Sequence, residues 1–314
     1  MTIIDGHCDV LYKMYQKRDL DFYNSQSTGL DVTFSRMVQS GVKIQFFAIF
    51  LSEAIRQPYF DHYLEYINIF YQKIISDPRI KLIKNQTDLL EVMSGTKKGA
   101  ILTLEGADAI QDNPLYTQTL FYLGIRLIGV TWNYGNWAAD GVLEPRQGGF
   151  SKKGIRFIKE CNDLGIMMDV SHLSEKSFWD VAAMSAKPFV ATHSNAKAVC
   201  GHPRNLDDDQ IKAIIQKQGR IGITFVPWFV NDQGSASISD LAKHIDHICA
   251  LGGEKQLVIG SDFDGISQWI PNLEHTGQYD ELAQYLSKHY KDEWIKDFFY
   301  RNWYRFLEKN LPVN

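Results

Sequence analysis

Eight short apolar runs, each followed by a helical pattern, constrain the fold of this 314-residue chain more than any other feature. The runs are rich in Val, Ile and Phe, which is typical of strands buried on both faces. Glycine often closes the helical stretch between two runs, as at Gly165 and Gly252. The runs are TIID (2–5), VKIQFFAIF (42–50), GAILTLE (99–105), IRLIGVTWN (125–133), IMMDVSH (166–172), PFVATHS (188–194), GRIGITFVP (219–227) and QLVIGSDFD (256–264).

This alternation predicts an α/β fold in which a parallel sheet closes into a (β/α)8 TIM barrel. An open doubly wound sheet would instead place a glycine-rich nucleotide loop after an early strand, and GHCDV follows the first run. The chain contains no repeat or Pro/Gly/Ser linker. We therefore predict one barrel domain over residues 1–314, with residues 279–314 forming extra C-terminal helices packed on the outside of the barrel.

Composition indicates which kinds of binding partner and which cellular compartment to expect for this chain. A formal net charge of −4 and a pI near 6.1 without a basic block argue against a nucleic-acid or anionic-membrane partner. The four cysteines fit neither a zinc motif nor a disulfide framework, so we expect reduced thiols and a cytoplasmic protein. Neither a signal peptide nor an apolar stretch long enough to span a membrane is expected.

Acids and imidazoles end five of the eight runs. Active sites of such barrels lie at the C-terminal ends of the strands, so these side chains are expected to meet at one mouth. They are His7 and Asp9 after the first run, Glu105 on the third, His172 on the fifth, His193 on the sixth, and Asp262 and Asp264 on the eighth.

The types and number of these residues predict two metal ions. His7 and Asp9 are two residues apart on an extended segment and can face the same side, and this pair of ligand types suits Zn²⁺ or a similar ion. Adding Glu105, His172 and His193 gives too many ligands for one tetrahedral ion with an open position. We predict that Glu105 bridges one ion bound by His7 and Asp9 and a second ion bound by His172 and His193.

Each of these residues also has a purely structural interpretation. A single buried histidine is more often a hydrogen-bonded core residue, and an aspartate after a strand is often a helix N-cap, as Asp264 before Gly265 could be. We predict structural or surface roles for the remaining histidines, which are His62, His202, His244, His247, His275 and His289. The metal hypothesis depends on the coincidence of acids and histidines at the same end of several strands.

Six motifs, in order from residue 5 to residue 265, resemble those of the membrane (renal-type) dipeptidase family, zinc peptidases of the amidohydrolase superfamily. They are DGHCDV, TLEGAD, TWNYGNWAADG, MDVSH, THSNAKAVCGHPRN and IGSDFDG. The resemblance implies a metal-dependent hydrolase barrel and a dizinc centre on His7, Asp9, Glu105, His172 and His193. It further implies an acid/base role for Asp262, a substrate-carboxylate anchor at Arg204, and a possible homodimer.

The fourth run departs from the mammalian members of that family. They carry a histidine where this chain has Trp132, which is followed by Asn133, a pattern similar to that of many bacterial members. The substrate preference of the mammalian enzymes is therefore not carried over to this chain. The secreted, lipid-anchored state of the eukaryotic members is not carried over either.

These features predict hydrolysis of dipeptides, including those with a C-terminal D-residue, by a hydroxide shared between two ions. A first alternative is another amidohydrolase, acting on N-acyl amino acids, cyclic amides or lactones. Many such relatives bridge their metals with a carboxylated lysine on the fourth strand, and residues 125–133 contain no lysine. A second alternative is a barrel that only binds or regulates, against which the intact ligand set argues.

Overall fold

Eight parallel strands close into a barrel in the computed structural model of the protein, which describes residues 1–24 and 29–313. Pairing runs from β2 through β1, β9, β8, β7, β6 and β5 to β4, and β4 pairs with β2 to complete the circle. The strands are β1 (Ile3–Asp5), β2 (Val42–Phe50), β3 (Ile80–Leu82), β4 (Lys98–Glu105), β5 (Ile125–Gly129), β6 (Met167–Asp169), β7 (Val190–Ala191), β8 (Arg220–Ile223) and β9 (Leu257–Ile259). The predicted (β/α)8 barrel is confirmed.

Each of the eight predicted runs contains one barrel strand. Several strands are shorter than their runs: the run 125–133 leaves the sheet after Gly129, and the run 166–172 leaves it after Asp169. The strand β3 was not predicted from the sequence; it has three residues and pairs with the first residues of β4. The polar ends of the runs therefore lie in loops just past the sheet.

Helices connect the strands and cover the barrel wall. They are α1 (Val10–Gln16), α2 (Phe34–Ser40), α3 (Phe60–Ile69), α4 (Gln86–Ser94), α5 (Pro114–Tyr122), α6 (Lys152–Leu164), α7 (Glu175–Met184), α8 (Asp208–Gln216), α9 (Pro227–Val230), α10 (Ile238–Ala250), α11 (Tyr279–Ser287), α12 (Asp292–Lys296) and α13 (Asn302–Asn310). Short π-helical turns follow α3 and α12.

Local signals in the sequence set the helix ends. The Ser151 hydroxyl accepts a hydrogen bond from the backbone N–H of Gly154 and caps α6, which ends at Gly165 in the left-handed conformation with φ 77°. Asp207 and Gln210 form a reciprocal capping box at the start of α8. Such caps satisfy backbone groups that a helix end leaves unpaired.

The C-terminal helix α13 covers the end of the barrel at which the strands begin. Trp303 is fully buried, its indole N–H donates to the Ile259 carbonyl over 3.0 Å, and its ring centroid is 4.9 Å from that of Phe46. Arg220 Nε at the start of β8 donates to the Asn302 carbonyl over 2.6 Å. The helix α13 packs across this end of the barrel, because apolar residues of the short strands need a cover there.

Two observations bear on compartment and membrane. Among the described residues, no helix has both the length and the apolar character that crossing a bilayer requires. None of the four cysteines forms a disulfide bond, and three of them are buried: Cys8, Cys161 and Cys200. Cys249 is partly exposed.

Candidate active site

Six predicted side chains converge where the strands end, on the side of the barrel opposite α13. They are three imidazoles and three carboxylates from five strand ends, all in buried positions except for a partly accessible Asp262. Two overlapping groups have ligand atoms close enough to share an ion: one is His7, Glu105 and His193, and the other is His7, Asp9 and Asp262.

His7 lies among three carboxylates. Its Nε2 atom is 3.5 Å from Asp9 Oδ2, 3.5 Å from Glu105 Oε2 and 3.6 Å from Asp262 Oδ1. Asp9 occupies the N-cap position of α1, but its side chain makes no capping hydrogen bond. The capping interpretation of Asp9 therefore does not hold, and its carboxylate is free to face His7.

His172 and His193 form the other half of the cluster. Glu105 Oε1 is 2.7 Å from His172 Nε2 and 3.6 Å from His193 Nε2, and the two Nε2 atoms are 2.9 Å apart. Glu105 thus presents one oxygen to this pair and the other to His7. Because the two oxygens of one carboxylate serve different imidazoles, its geometry fits a bridging ligand.

Unpaired buried atoms indicate what this cluster can hold. His7 Nε2 and Asp9 Oδ1 are buried without a hydrogen-bond partner, which is rare for polar atoms in native proteins. Imidazole nitrogen and carboxylate oxygen are ligands of Zn²⁺ and similar ions. The residues present therefore fit a divalent metal centre.

The electrostatics of the cluster also favour a bound cation. Burial alone would lower the pKa of His7, but the negative charges of Glu105 and Asp9 raise it well above its usual value. Burial lowers the pKa of His193 and brings the pKa of His172 to about 4, so these two rings are neutral. Neutral imidazole is the form that binds metals. Burial also raises the pKa of Asp262 well above the usual carboxyl value, with Asp9 and Glu105 adding to the shift against the opposing effect of His7.

Arg204 lies against the histidine side of the cluster. It is 3% exposed, and its Nη2 is 3.4 Å from the His193 carbonyl oxygen. Its Nε and Nη1 atoms have no hydrogen-bond partner. Burial lowers the pKa of this guanidinium to about 10, against the raising effect of Glu105 and Asp262. Two unsatisfied donors on a buried cation suit an anionic ligand.

Asp264 is a structural residue and lies outside the cluster. Its carboxylate accepts from the backbone N–H groups of Asp31 and Val32 at 2.8 and 3.0 Å, and Lys13 Nζ is 3.4 Å away. It joins two loops and caps no helix. Asp264 was considered a possible helix N-cap. It does have a structural role, but it binds loop backbone N–H groups and not the start of a helix.

The residues that contact the Nδ1 atoms of His172 and His193 were not predicted from the sequence. His172 Nδ1 is 2.9 Å from Asn133 Oδ1, and His193 Nδ1 is 2.9 Å from Thr192 Oγ1. Asp169, on the last position of β6, binds Thr192 in turn. Their only signal in the sequence is the placement of polar residues inside otherwise apolar runs near each histidine.

Two cavities border residues that lie next to the cluster. One of about 300 Å³ is lined by Trp132, whose ring centroid is 6.1 Å from that of His172. Another of about 240 Å³ is lined by Arg204. A larger cavity of about 540 Å³, between Met1 and the helices α11 and α12, is lined by no residue of the cluster.

A model of the membrane dipeptidase family, peptidase family M19, matches residues 1–311. The chain belongs to this family. Membership confirms the predicted resemblance and the enzyme class: the protein is a hydrolase of the metal-dependent dipeptidase type. Family membership favours dipeptidase activity over hydrolysis of N-acyl amino acids, cyclic amides or lactones.

Individual relatives of the chain agree with this assignment. A dipeptidase of Clonostachys rogersoniana is 30% identical over 239 residues, which cover 75% of this chain and 61% of that protein. The solved structure of a dipeptidase, described as an M19 metallopeptidase, has a TM-score of 0.90 at 26% identity, with 99% of both chains covered. A metallopeptidase from Rhodobacter sphaeroides, bound to a phosphinate mimic of L-Ala-D-Ala, has a TM-score of 0.89 at 26% identity and equal coverage.

Proposed function

We propose that this M19 protein hydrolyses dipeptides at a centre of two divalent ions, zinc being the expected metal. The observation that carries the proposal is the position of Glu105, whose two oxygens face His7 on one side and the pair His172 and His193 on the other. His7, Asp9 and Glu105 would hold one ion, and Glu105, His172 and His193 the other. When bound, such ions supply a water of lowered pKa and a Lewis acid for the scissile carbonyl.

Asp262 is the proposed acid/base group. Its Oδ1 lies 3.6 Å from His7 Nε2, at the edge of the cluster, and its side chain is 15% exposed, so a substrate can reach it. A carboxyl group with a raised pKa can accept a proton during attack and return it to the leaving amine at near-neutral pH.

Arg204 is the proposed anchor for the C-terminal carboxylate of the substrate. Its Nε and Nη1 atoms have no partner in the protein, so free donors remain on both edges of the planar guanidinium. Either atom, together with a neighbouring N–H of Nη2, could bind the two oxygens of a carboxylate in a bidentate pair. Holding the terminal carboxylate close to the cluster limits substrate length and favours dipeptides over longer peptides.

We extend the proposal to dipeptides with a C-terminal D-residue. An anchor that contacts the carboxylate and not the side chain does not by itself select a configuration at that residue. The phosphinate ligand of the Rhodobacter sphaeroides relative mimics L-Ala-D-Ala, which supports the idea. Comparing L-Ala-L-Ala with L-Ala-D-Ala tests it, and failure to cleave any L,D dipeptide would contradict it.

The central experiment combines metal content with turnover for wild type and Asp262→Asn. Wild type should bind about two divalent ions per chain and cleave members of a dipeptide panel. The substitution removes the proton acceptor but no proposed ligand, so Asp262→Asn should keep its metal and lose about 10²–10⁴-fold in kcat.

Two further variants control this experiment. His172→Ala should lose metal and activity together, whereas His289→Ala changes an exposed histidine and should match wild type. A wild-type protein without tightly bound divalent metal would contradict the dinuclear centre. Near-normal turnover of Asp262→Asn would remove that residue from the role.

A further inference from the structure

A buried carboxylate, that of Asp169, binds the two residues that directly precede the histidines of the cluster. Asp169 is 6% exposed and ends β6. Its Oδ1 accepts from the backbone N–H of Ser171 at 3.1 Å, from the Ser171 hydroxyl at 2.7 Å and from the backbone N–H of Thr192 at 3.0 Å. Its Oδ2 accepts from the Thr192 hydroxyl at 2.5 Å. Ser171 and Thr192 directly precede His172 and His193.

The hydrogen positions in this network follow from donor and acceptor counting. A carboxylate can only accept, so the Thr192 hydroxyl proton points at Asp169. The Ser171 hydroxyl, 3.2 Å from Thr192 Oγ1, likewise donates to Asp169. Thr192 Oγ1 is therefore left with lone pairs for His193 Nδ1 at 2.9 Å, and Nδ1 must carry the hydrogen. In a neutral imidazole this leaves Nε2 as the acceptor.

We propose that Asp169 and Thr192 are positioning residues that lock His193 in the tautomer whose Nε2 lone pair faces Glu105 and His172. The proposal rests on the metal centre proposed above, because that lone pair is the one that would bind the second ion. Partners of this kind, which fix the ring and tautomer of a metal-binding histidine, are a general feature of metal sites.

The fixed tautomer of His193 also affects its contact with His172. His172 Nδ1 faces the Asn133 amide oxygen at 2.9 Å, so His172 also presents a lone pair at Nε2. Two Nε2 lone pairs 2.9 Å apart repel each other unless a cation lies beside them. If Thr192 lost its hydroxyl, His193 could move its hydrogen to Nε2 and donate to His172. That internal hydrogen bond would compete with metal binding.

The test compares Thr192→Val, which removes the hydroxyl at nearly constant shape, with Thr192→Ser, which retains it. In metal-free protein labelled with ¹⁵N-histidine, the nitrogen shifts report the tautomer of each ring. We expect an Nδ1–H signature for His193 in wild type and Thr192→Ser, and its loss in Thr192→Val. Zinc affinity, measured by competition with a chelator, should fall about 10–100-fold in Thr192→Val and stay near wild type in Thr192→Ser.

Two additional variants keep the test decisive. Ser171→Ala removes a donor to the same carboxylate without touching the imidazole hydrogen, so its His193 tautomer should match wild type. Asp169→Asn replaces Thr192→Val if the latter does not fold, and it should disturb the tautomer in the same way. An unchanged tautomer and zinc affinity in a folded Thr192→Val would overturn the inference while leaving the metal centre intact. Failure of wild type to bind zinc would overturn the proposed function. The spectra of the metal-free protein would still test whether Thr192 fixes the tautomer of His193.

Discussion

At the scale of single residues, three carboxylates are concentrated around His7. Asp9, Glu105 and Asp262 all lie within 3.6 Å of one imidazole nitrogen. In a buried site such a concentration of carboxylates is unfavourable unless positive charge accompanies it. The pKa values of His7 and Asp262 are both raised well above their usual ranges, so bound protons reduce the net negative charge of the cluster.

The first residue-scale prediction concerns Arg204→Met, which keeps an unbranched, flexible side chain and removes the charged guanidinium. If the guanidinium binds the substrate carboxylate, kcat/KM for a dipeptide should fall by about 10–100-fold, since hydrogen bonds to charged groups contribute about 1.5–3 kcal/mol. The matched substrate is the same dipeptide with an amidated C-terminus. Wild type and variant should differ little on the amide, and an equal loss on both substrates would show that Arg204 acts in another way.

The side chains that meet in the cluster could be predicted from the sequence, but the residues that hold the histidines in place could not. His7, Asp9, Glu105, His172, His193 and Asp262 could be found because strand ends in a parallel barrel share one mouth. Asn133, Thr192 and Asp169 could not, because the partner of a polar side chain depends on distances between loops. The sequence alone could not decide Asp264 either: its position after a strand fitted both a ligand and a structural group.

At the scale of elements, the loop after β9 is built around the cluster. Asp262 has a positive φ of 66°, and its backbone N–H donates to the His7 carbonyl at 3.3 Å. Ser261 and Tyr279 donate to the buried Asp5 carboxylate on β1, at 2.7 and 2.8 Å to Oδ2. These bonds join β1 to the β9 loop and fix the spacing between His7 and Asp262.

The element-scale prediction uses Gly265, which leaves no room for a side chain in this loop. A Cβ atom there would lie 2.3 Å from Asp9 Oδ2 and 2.7 Å from Asp262 Oδ1. Gly265→Ala should therefore displace both carboxylates and reduce metal content and turnover, with little change in circular dichroism. Gly201→Ala is the matched control, because a Cβ at Gly201 would meet nothing within 4 Å. Full metal content in a folded Gly265→Ala would contradict the proposed role of Asp9 as a ligand.

At the scale of the whole molecule, the two ends of the barrel have different tasks. Loops carry the polar cluster at one end, while α13 seals the other with Trp303, Phe306 and Leu307, all buried. The sequence indicated a helical, aromatic tail but not this location, because an amphipathic helix can cover any apolar surface. We propose that residues 279–314 are an integral part of a single barrel domain. The cytoplasmic location and the homodimer stay predictions.

The whole-molecule prediction is that Trp303→Ala destabilises the fold far more than loss of an exposed tryptophan. Removing a fully buried tryptophan leaves a cavity at the barrel end and costs about 3–5 kcal/mol of unfolding free energy, measurable by urea denaturation. Trp179 is 39% exposed, and Trp179→Ala should lose much less. Equal losses would indicate that α13 contributes little to the stability of the barrel.

The pairing of β1 with β9 has a consequence for synthesis on the ribosome. The hydrogen bonds between Asp5 and Ser261 join residues 256 positions apart, so the barrel cannot close before the loop after β9 has been made. Chains emerge from the ribosome N-terminus first, so His7 and Asp9 are exposed long before β9 can close the barrel beside them. We expect a nascent chain to stay catalytically silent until β9 has left the ribosome, with metal uptake following closure of the barrel.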